Sequence, residues 1–145
     1  MRKVVLASFV AAFLFLGCHN TARAQVPEIP RQGLGDIARA VMTPGGPVIF
    51  YDPMICAQMG ALACRFFRAH EYGHIVLGHL GGVFPPMAEM QADCFAATNA
   101  APAEVQAGVQ TFMAQGNGGD AAGHGTGFQR ARRVVDMATS GNCHW

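Results

Sequence analysis

The chain has 145 residues, of which 51% are hydrophobic and 13% charged, with a formal net charge of +1. This excludes a disordered, highly charged polymer and suits a single compact folding unit. The near-neutral balance also excludes electrostatic capture of nucleic acid or of an anionic membrane surface.

At the start, Arg2 and Lys3, an apolar run over residues 4–17 and the small-residue site Ala22-Arg23-Ala24 read as an export signal covering residues 1–24. The run is shorter than the roughly 20 residues that span a bilayer, and nothing later is longer and as apolar. The expected product is one domain, residues 25–145, with no integral membrane segment, periplasmic or secreted. A competing processing site, Phe15-Leu16-Gly17-Cys18, would make Cys18 a lipid anchor; Leu16 stands one place off the usual position, so the Ala-x-Ala site is preferred. Loss of Arg2, Lys3 and Arg23 leaves seven arginines against nine acids and no lysine.

Four cysteines remain, Cys56, Cys64, Cys94 and Cys143. An even number in an oxidising compartment predicts two disulfides. Of the three pairings, Cys56–Cys64 with Cys94–Cys143 is favoured, because the second ties the C-terminal region to the segment after Asp93. No Cys-x-x-Cys pair is present, which argues against cysteine ligation of zinc.

Residues 25–31, with two prolines, read as a loose lead-in. Leu34, Ile37, Ala38 and Val41 repeat at helical spacing up to the stop Thr43-Pro44-Gly45-Gly46 and predict a short helix. Pro47-Val48-Ile49-Phe50-Tyr51 is β-branched and aromatic and predicts a short strand, placed at a sheet edge because proline opens it. From Leu62, apolar residues at helical spacing run through Leu80 to Gly81-Gly82 and predict the firmest helix. A return helix follows from Pro85-Pro86 to about Asn99; a third takes Val105, Val109 and Phe112 to Gly116, and a fourth takes Phe128, Ala131 and Val134 to Gly141. Between the last two, residues 116–127 hold six glycines. The fold class is therefore mainly α (α+β).

The firm helix carries His70-Glu71-Tyr72-Gly73-His74. Spacing of i,i+4 puts both imidazoles on one face, able to bite one metal ion, with Glu71 beside them. A catalytic metal needs a third protein ligand and an open position. Two candidates present themselves, His79 and Glu89. The metzincin pattern would need a histidine six residues after His74, but that residue is Leu80; His79 is one place early, about 100° of helix away, and reads as a surface or supporting residue. Glu89 fits better. Past His74 the helix advances roughly 9 Å, residues 81–85 reverse the chain, and Glu89 lies about 4.5 Å into the return helix. Inward-facing side chains close that offset across axes about 8–10 Å apart. Asp93, one turn on, is placed to accept the other ring N–H of a ligand histidine.

His70-Glu71-x-x-His74 followed by Glu89-x-x-x-Asp93 resembles the gluzincin peptidases. Gln91-Ala92-Asp93-Cys94-Phe95-Ala96 is similar to the second motif of the small bacterial neutral zinc metallopeptidases. His124-Gly125-Thr126-Gly127-Phe128-Gln129-Arg130 looks like a third stretch of that family, a threonine-histidine-glycine closing with glutamine-arginine, with Ala122-Gly123 in place of the threonine context. The resemblance covers residues 62–135, loosely in the third motif. It implies a minimal zincin-like domain holding one Zn2+ ion through His70, His74 and Glu89, Asp93 behind them, His124 and Arg130 at the active-site edge, and a peptide or protein substrate.

The chemistry so implied is peptide hydrolysis by a metal-activated water, with Glu71 as general base and His124 or Arg130 donating to the oxyanion. The alternative is a non-enzymatic exported binding protein on the same scaffold. Glu71 separates the two, since a structural metal site has no use for a base beside its ligands.

Overall fold

A computed structural model describes residues 26–82, 85–119 and 124–143. The expected export signal, Cys18 and the Ala122-Gly123 context lie outside the described residues.

Three strands come first, β1 (Glu28–Pro30), β2 (Ala38–Thr43) and β3 (Gly46–Tyr51), in spatial order β1-β3-β2. β3 runs parallel to β1 and antiparallel to β2, with Ala40 opposite Ile49. The helix expected from Leu34 to Val41 is replaced by a turn and β2. Its apolar spacing spans only two helical turns, too few to hold a helix unaided, and β3 offers the backbone a full ladder instead. Gly33 and Gly35, at φ 73° and 71°, set the turn that leads in.

The expected strand exists, but it is central rather than an edge. Pro47 lies opposite Met42, next to the hairpin-closing pair Thr43–Gly46. Pairs in that alternate position exchange no ladder bonds, and β1 reaches only Ile49 to Tyr51, so no neighbour needs an N–H from Pro47. Glu28–Pro30, within the expected lead-in, forms β1.

Helix α1 (Pro53–Met59), not foreseen from the sequence, starts where Asp52 caps it. Met54 N–H and Ile55 N–H donate to Asp52 Oδ1 at 2.9 and 3.3 Å. The other carboxylate oxygen accepts from Gly33 and Leu34 N–H at 2.8 and 3.2 Å. One buried carboxylate therefore caps a helix and pins the turn before β2.

The expected helices follow as α2 (Ala61–Val76), α3 (Ala88–Asn99), α4 (Pro102–Gln115) and α5 (Gly127–Ser140). Only α2 differs materially, ending at Val76 rather than at Gly81-Gly82, because Gly78 at φ 74° turns the backbone back. The core lies among α2 to α5. Phe66, Phe67 and Phe112 meet edge to face, with centroids 5.4–5.9 Å apart, over Val134, Met137 and Ala131. Gly108 makes room for this cluster, since a Cβ there would stand 2.3 Å from Phe66 Cδ1.

Both favoured disulfides are present. Cys56–Cys64 links α1 to α2, and Cys94–Cys143 ties α3 to the chain beyond α5 across 49 residues. For a loop of that length the chain-entropy model gives about 4 kcal/mol of stabilisation. No helix among the described residues is long and apolar enough to cross a membrane.

Burial pushes the Asp52 carboxyl up, but the N–H groups of Met54, Ile55, Leu34 and Gly33 together outweigh it and hold its pKa below the ordinary 3.8. A carboxyl whose folded-state pKa is depressed contributes stability above its unfolded pKa, and that contribution is lost as pH falls through the folded value. Asp52→Asn should therefore be less stable than wild type at neutral pH. It should also lose less stability than wild type on acidification from about pH 5 to about pH 3. Urea unfolding of both proteins at each pH checks this; parallel losses would contradict it.

Candidate metal centre

Helix α2 presents His70 and His74 one turn apart on a buried face, each 4% exposed. Their Nε2 atoms stand 3.1 Å from each other. Between them in sequence, Gly73 lets α3 come close: a Cβ there would lie 2.9 Å from Phe95 Cβ and 3.2 Å from Ala92 Cα. That close approach brings Glu89, in the first turn of α3, onto the histidines. Glu89 Oε2 lies 3.2 Å from His70 Nε2, and Oε1 lies 3.5 Å from His74 Nε2. His124, from the loop before α5, contacts Glu89 Oε2 through Nε2. Its loop is held by Arg133 Nη2, which donates to the His124 carbonyl at 2.6 Å.

Behind this cluster stand side chains that fix the rings. His70 Nδ1 donates to Asp93 Oδ1 at 2.9 Å, the contact expected for Asp93. Arg130, expected at the site's edge, lies instead behind Asp93. Its Nε donates to Asp93 Oδ2 at 3.0 Å and its Nη2 to Oδ1 at 2.6 Å, while the guanidinium stacks on Phe112 at 4.1 Å. Two further neighbours complete the cluster, His79, in the supporting place that was one of its two readings, and a backbone group the sequence did not signal. His79, 5% exposed, places Nδ1 3.0 Å from His74 Nδ1, and its Nε2 lies 2.9 Å from Gln91 Oε1. His79 stays off the Nε2 side of His74 as expected, but for a different reason: the helix has already ended, and the turn carries His79 back beneath His74. The second neighbour is Ala40, whose N–H donates to Glu71 Oε2 at 2.7 Å and ties the motif's glutamate to β2.

Charge in the cluster favours a cation. Burial lowers the pKa of His70, but its bonds to Asp93 and Glu89 and the field of Asp93 and Glu71 override this and lift it to about 9. Burial pushes Glu89 up, yet the histidines His124, His70 and His74 hold its carboxyl far below the ordinary range. Asp93 is brought down to about 2 against its own burial by His70 and Arg130. Glu71 moves the other way: burial raises it above 4.5, and His70, the Ala40 N–H and His74 recover only part. Burial also lowers His79.

The donor set fits a metal ion. Tetrahedral bonds of 2.0–2.1 Å to nitrogen and oxygen place donors about 3.3–3.4 Å apart. The His70–His74, His70–Glu89 and His74–Glu89 separations of 3.1, 3.2 and 3.5 Å bracket that value. Among the described residues, Glu89 Oε2 lies close to the His70 and His124 nitrogens, but neither contact is a well-aligned hydrogen bond, so these are ion-pair contacts that leave the oxygen able to ligate. Two overlapping groups, His70-Glu71-His74 and His70-Glu89-His124, bring ligand atoms within 4.8 Å of one another and can hold an ion.

Arg130→Met keeps an apolar stem over Phe112 but strips the buried Asp93 of its only arginine contact among the described residues. Leaving one partner of a buried ion pair alone costs about 3–5 kcal/mol. Urea unfolding should show a loss of that size, and a loss below about 1 kcal/mol, the range of exposed pairs, would contradict the pairing. Compared with models of known protein families, with curated proteins and with solved structures, the chain shows no significant match.

Proposed function

We propose that the protein is an exported zinc-dependent metallopeptidase of the gluzincin kind, and that His70, His74 and Glu89 hold one Zn2+ ion. The observation that carries this reading is the convergence of two imidazole Nε2 atoms and a carboxylate at 3.1–3.5 Å, with a second, half-buried carboxylate, Glu71, in the same cluster. Imidazole with carboxylate suits zinc, and among the described residues no cysteine thiolate is available, since Cys56, Cys64, Cys94 and Cys143 are all in disulfides. Those disulfides fit the oxidising compartment to which the residues 1–24 signal would send the chain.

When bound, zinc would polarise the scissile carbonyl and make water a nucleophile near neutral pH. Glu71 receives the proton of the attacking water and returns it to the leaving amine. Burial favours this by raising its pKa toward the working range of a general base. His124 reaches the same cluster through Glu89, and a hydrolytic site must keep one position open. We therefore assign His124 to donate to the carbonyl oxygen as it gains charge rather than to close the metal shell. Arg130 acts through Asp93, holding the carboxylate that orients His70.

Substrate would lie along β2. Ala40 belongs to the alternate pairs whose N–H and C=O turn away from β3, and its N–H already points at Glu71. Ala38 and Met42 share that parity and offer an extended peptide a ladder beside the cluster. The central position of β3 leaves Phe50 and Tyr51 no open edge for a substrate.

Glu71→Gln should keep one zinc per chain and lose casein cleavage by about 10²–10⁴-fold. Glu89→Ala should lose zinc as well. Metal analysis and a cleavage assay on the disulfide-bonded protein check both. Zinc retention with equal, negligible cleavage by wild type and Glu71→Gln would contradict the peptidase reading and favour a metal-binding interaction protein.

A further inference from the structure

His70 and His74 are oriented by different chemistry. Asp93, a carboxylate that can only accept, fixes the proton of His70 on Nδ1 and leaves Nε2 facing the cluster. His74 Nδ1 meets instead another imidazole nitrogen, His79 Nδ1, at 3.0 Å. One proton lies between those two nitrogens, and the pair alone does not decide which ring carries it. The decision comes from the far side of His79. Its Nε2 lies 2.9 Å from Gln91 Oε1, an amide oxygen that can only accept, so His79 carries its proton on Nε2. A neutral imidazole protonated there has a bare Nδ1, which must accept from His74 Nδ1–H. The Nε2 lone pair of His74 then faces the donor cluster, where it stands 3.1 Å from His70 Nε2.

We infer that Gln91 and His79 form a neutral relay that fixes the tautomer and ring orientation of His74 as a metal ligand. The inference rests on the metal reading above and deepens it. The elements suit the role, because Gln91 lies on α3 between Glu89 and Asp93, on the helix that already supplies a ligand and the carboxylate behind the other histidine. Early termination of α2 at Val76 allows His79 to fold back, and His79 N–H donates to the His74 carbonyl at 2.9 Å, fixing the backbone of the turn. The relay has a polarity. A donor in place of the Gln91 oxygen would move the proton of His79 to Nδ1, make His74 Nδ1 the acceptor, and put the proton of His74 on the nitrogen that must bind metal. His79 and Gln91 are thus positioning residues; neither touches the metal.

Zinc affinity should be measured by competition with a chromophoric chelator, alongside far-UV circular dichroism to confirm folding. His79→Phe should weaken zinc binding by about 10–100-fold, the usual effect of losing a group that orients a metal-ligating histidine. His79→Asn, whose amide oxygen can stand where Nδ1 stood, should recover most of the loss. Gln91→Glu, still an acceptor, should stay within a few-fold of wild type, while Gln91→Lys, a donor only, should match His79→Phe. Two-bond 15N correlations on the zinc-free wild-type protein should show His74 protonated at Nδ1 and bare at Nε2. A proton on Nε2 of His74, or equal affinities for His79→Phe and His79→Asn, would overturn the relay. Failure of the wild type to take up zinc would overturn the metal reading itself, and the tautomer measurement, made without metal, would still decide the relay.

Discussion

Asp93 is the buried charge on which the site depends. A carboxylate with no exposed surface costs several kcal/mol to desolvate and is tolerated only when its oxygens are matched. Here α2 contributes His70 and α5 contributes the fork of Arg130, so three helices are held in one register by a group that cannot be left unpaired. Replacing the trio by packed apolar residues would leave stability near neutral and remove the orientation of His70. Its value is geometric.

Two close approaches let that register exist. Gly73 allows α3 against the metal-site face of α2, and Gly108 allows α4 against Phe66 on its other side. The donors mostly ride on helices locked by this packing, which favours the sub-ångström positioning a metal site demands. His124 is the exception: it comes from the loop before α5 and is tied down by Arg133. The sheet is small, but its outer strand β2 is joined to the cluster by the bond from Ala40 to Glu71.

What was legible in the sequence is what local spacing encodes. The i,i+4 pair of His70 and His74 fixes one face of a helix, and simple helix arithmetic across the reversal brings Glu89 and then Asp93 to that face. The preferred cysteine pairing rests on the second bridge tying the C-terminal region to the segment after Asp93, as Cys94–Cys143 does. Illegible features depend on partners distant in sequence. Residues 34–41 carry a helical apolar spacing too short to hold a helix unaided, and pairing with β3 overrides it. Asp52 is just an acid before a proline until Gly33 and Leu34 arrive. Arg130 reads as a basic residue at a helix start, and its burial against Phe112 is a tertiary fact. His79 takes one of its two expected places, behind a ligand histidine, but not through the helical rotation that suggested it, because Gly78 ends the helix first.

The central claim is a single zinc ion held by two imidazoles and a carboxylate, and X-ray absorption at the zinc edge of the loaded wild-type protein tests it most directly. Two imidazoles and a carboxylate should give a first shell of nitrogen and oxygen at about 2.0–2.1 Å, with the multiple-scattering pattern of imidazole and no sulfur at about 2.3 Å. A sulfur shell, a shell without imidazole scattering, or a protein that retains no zinc would contradict it.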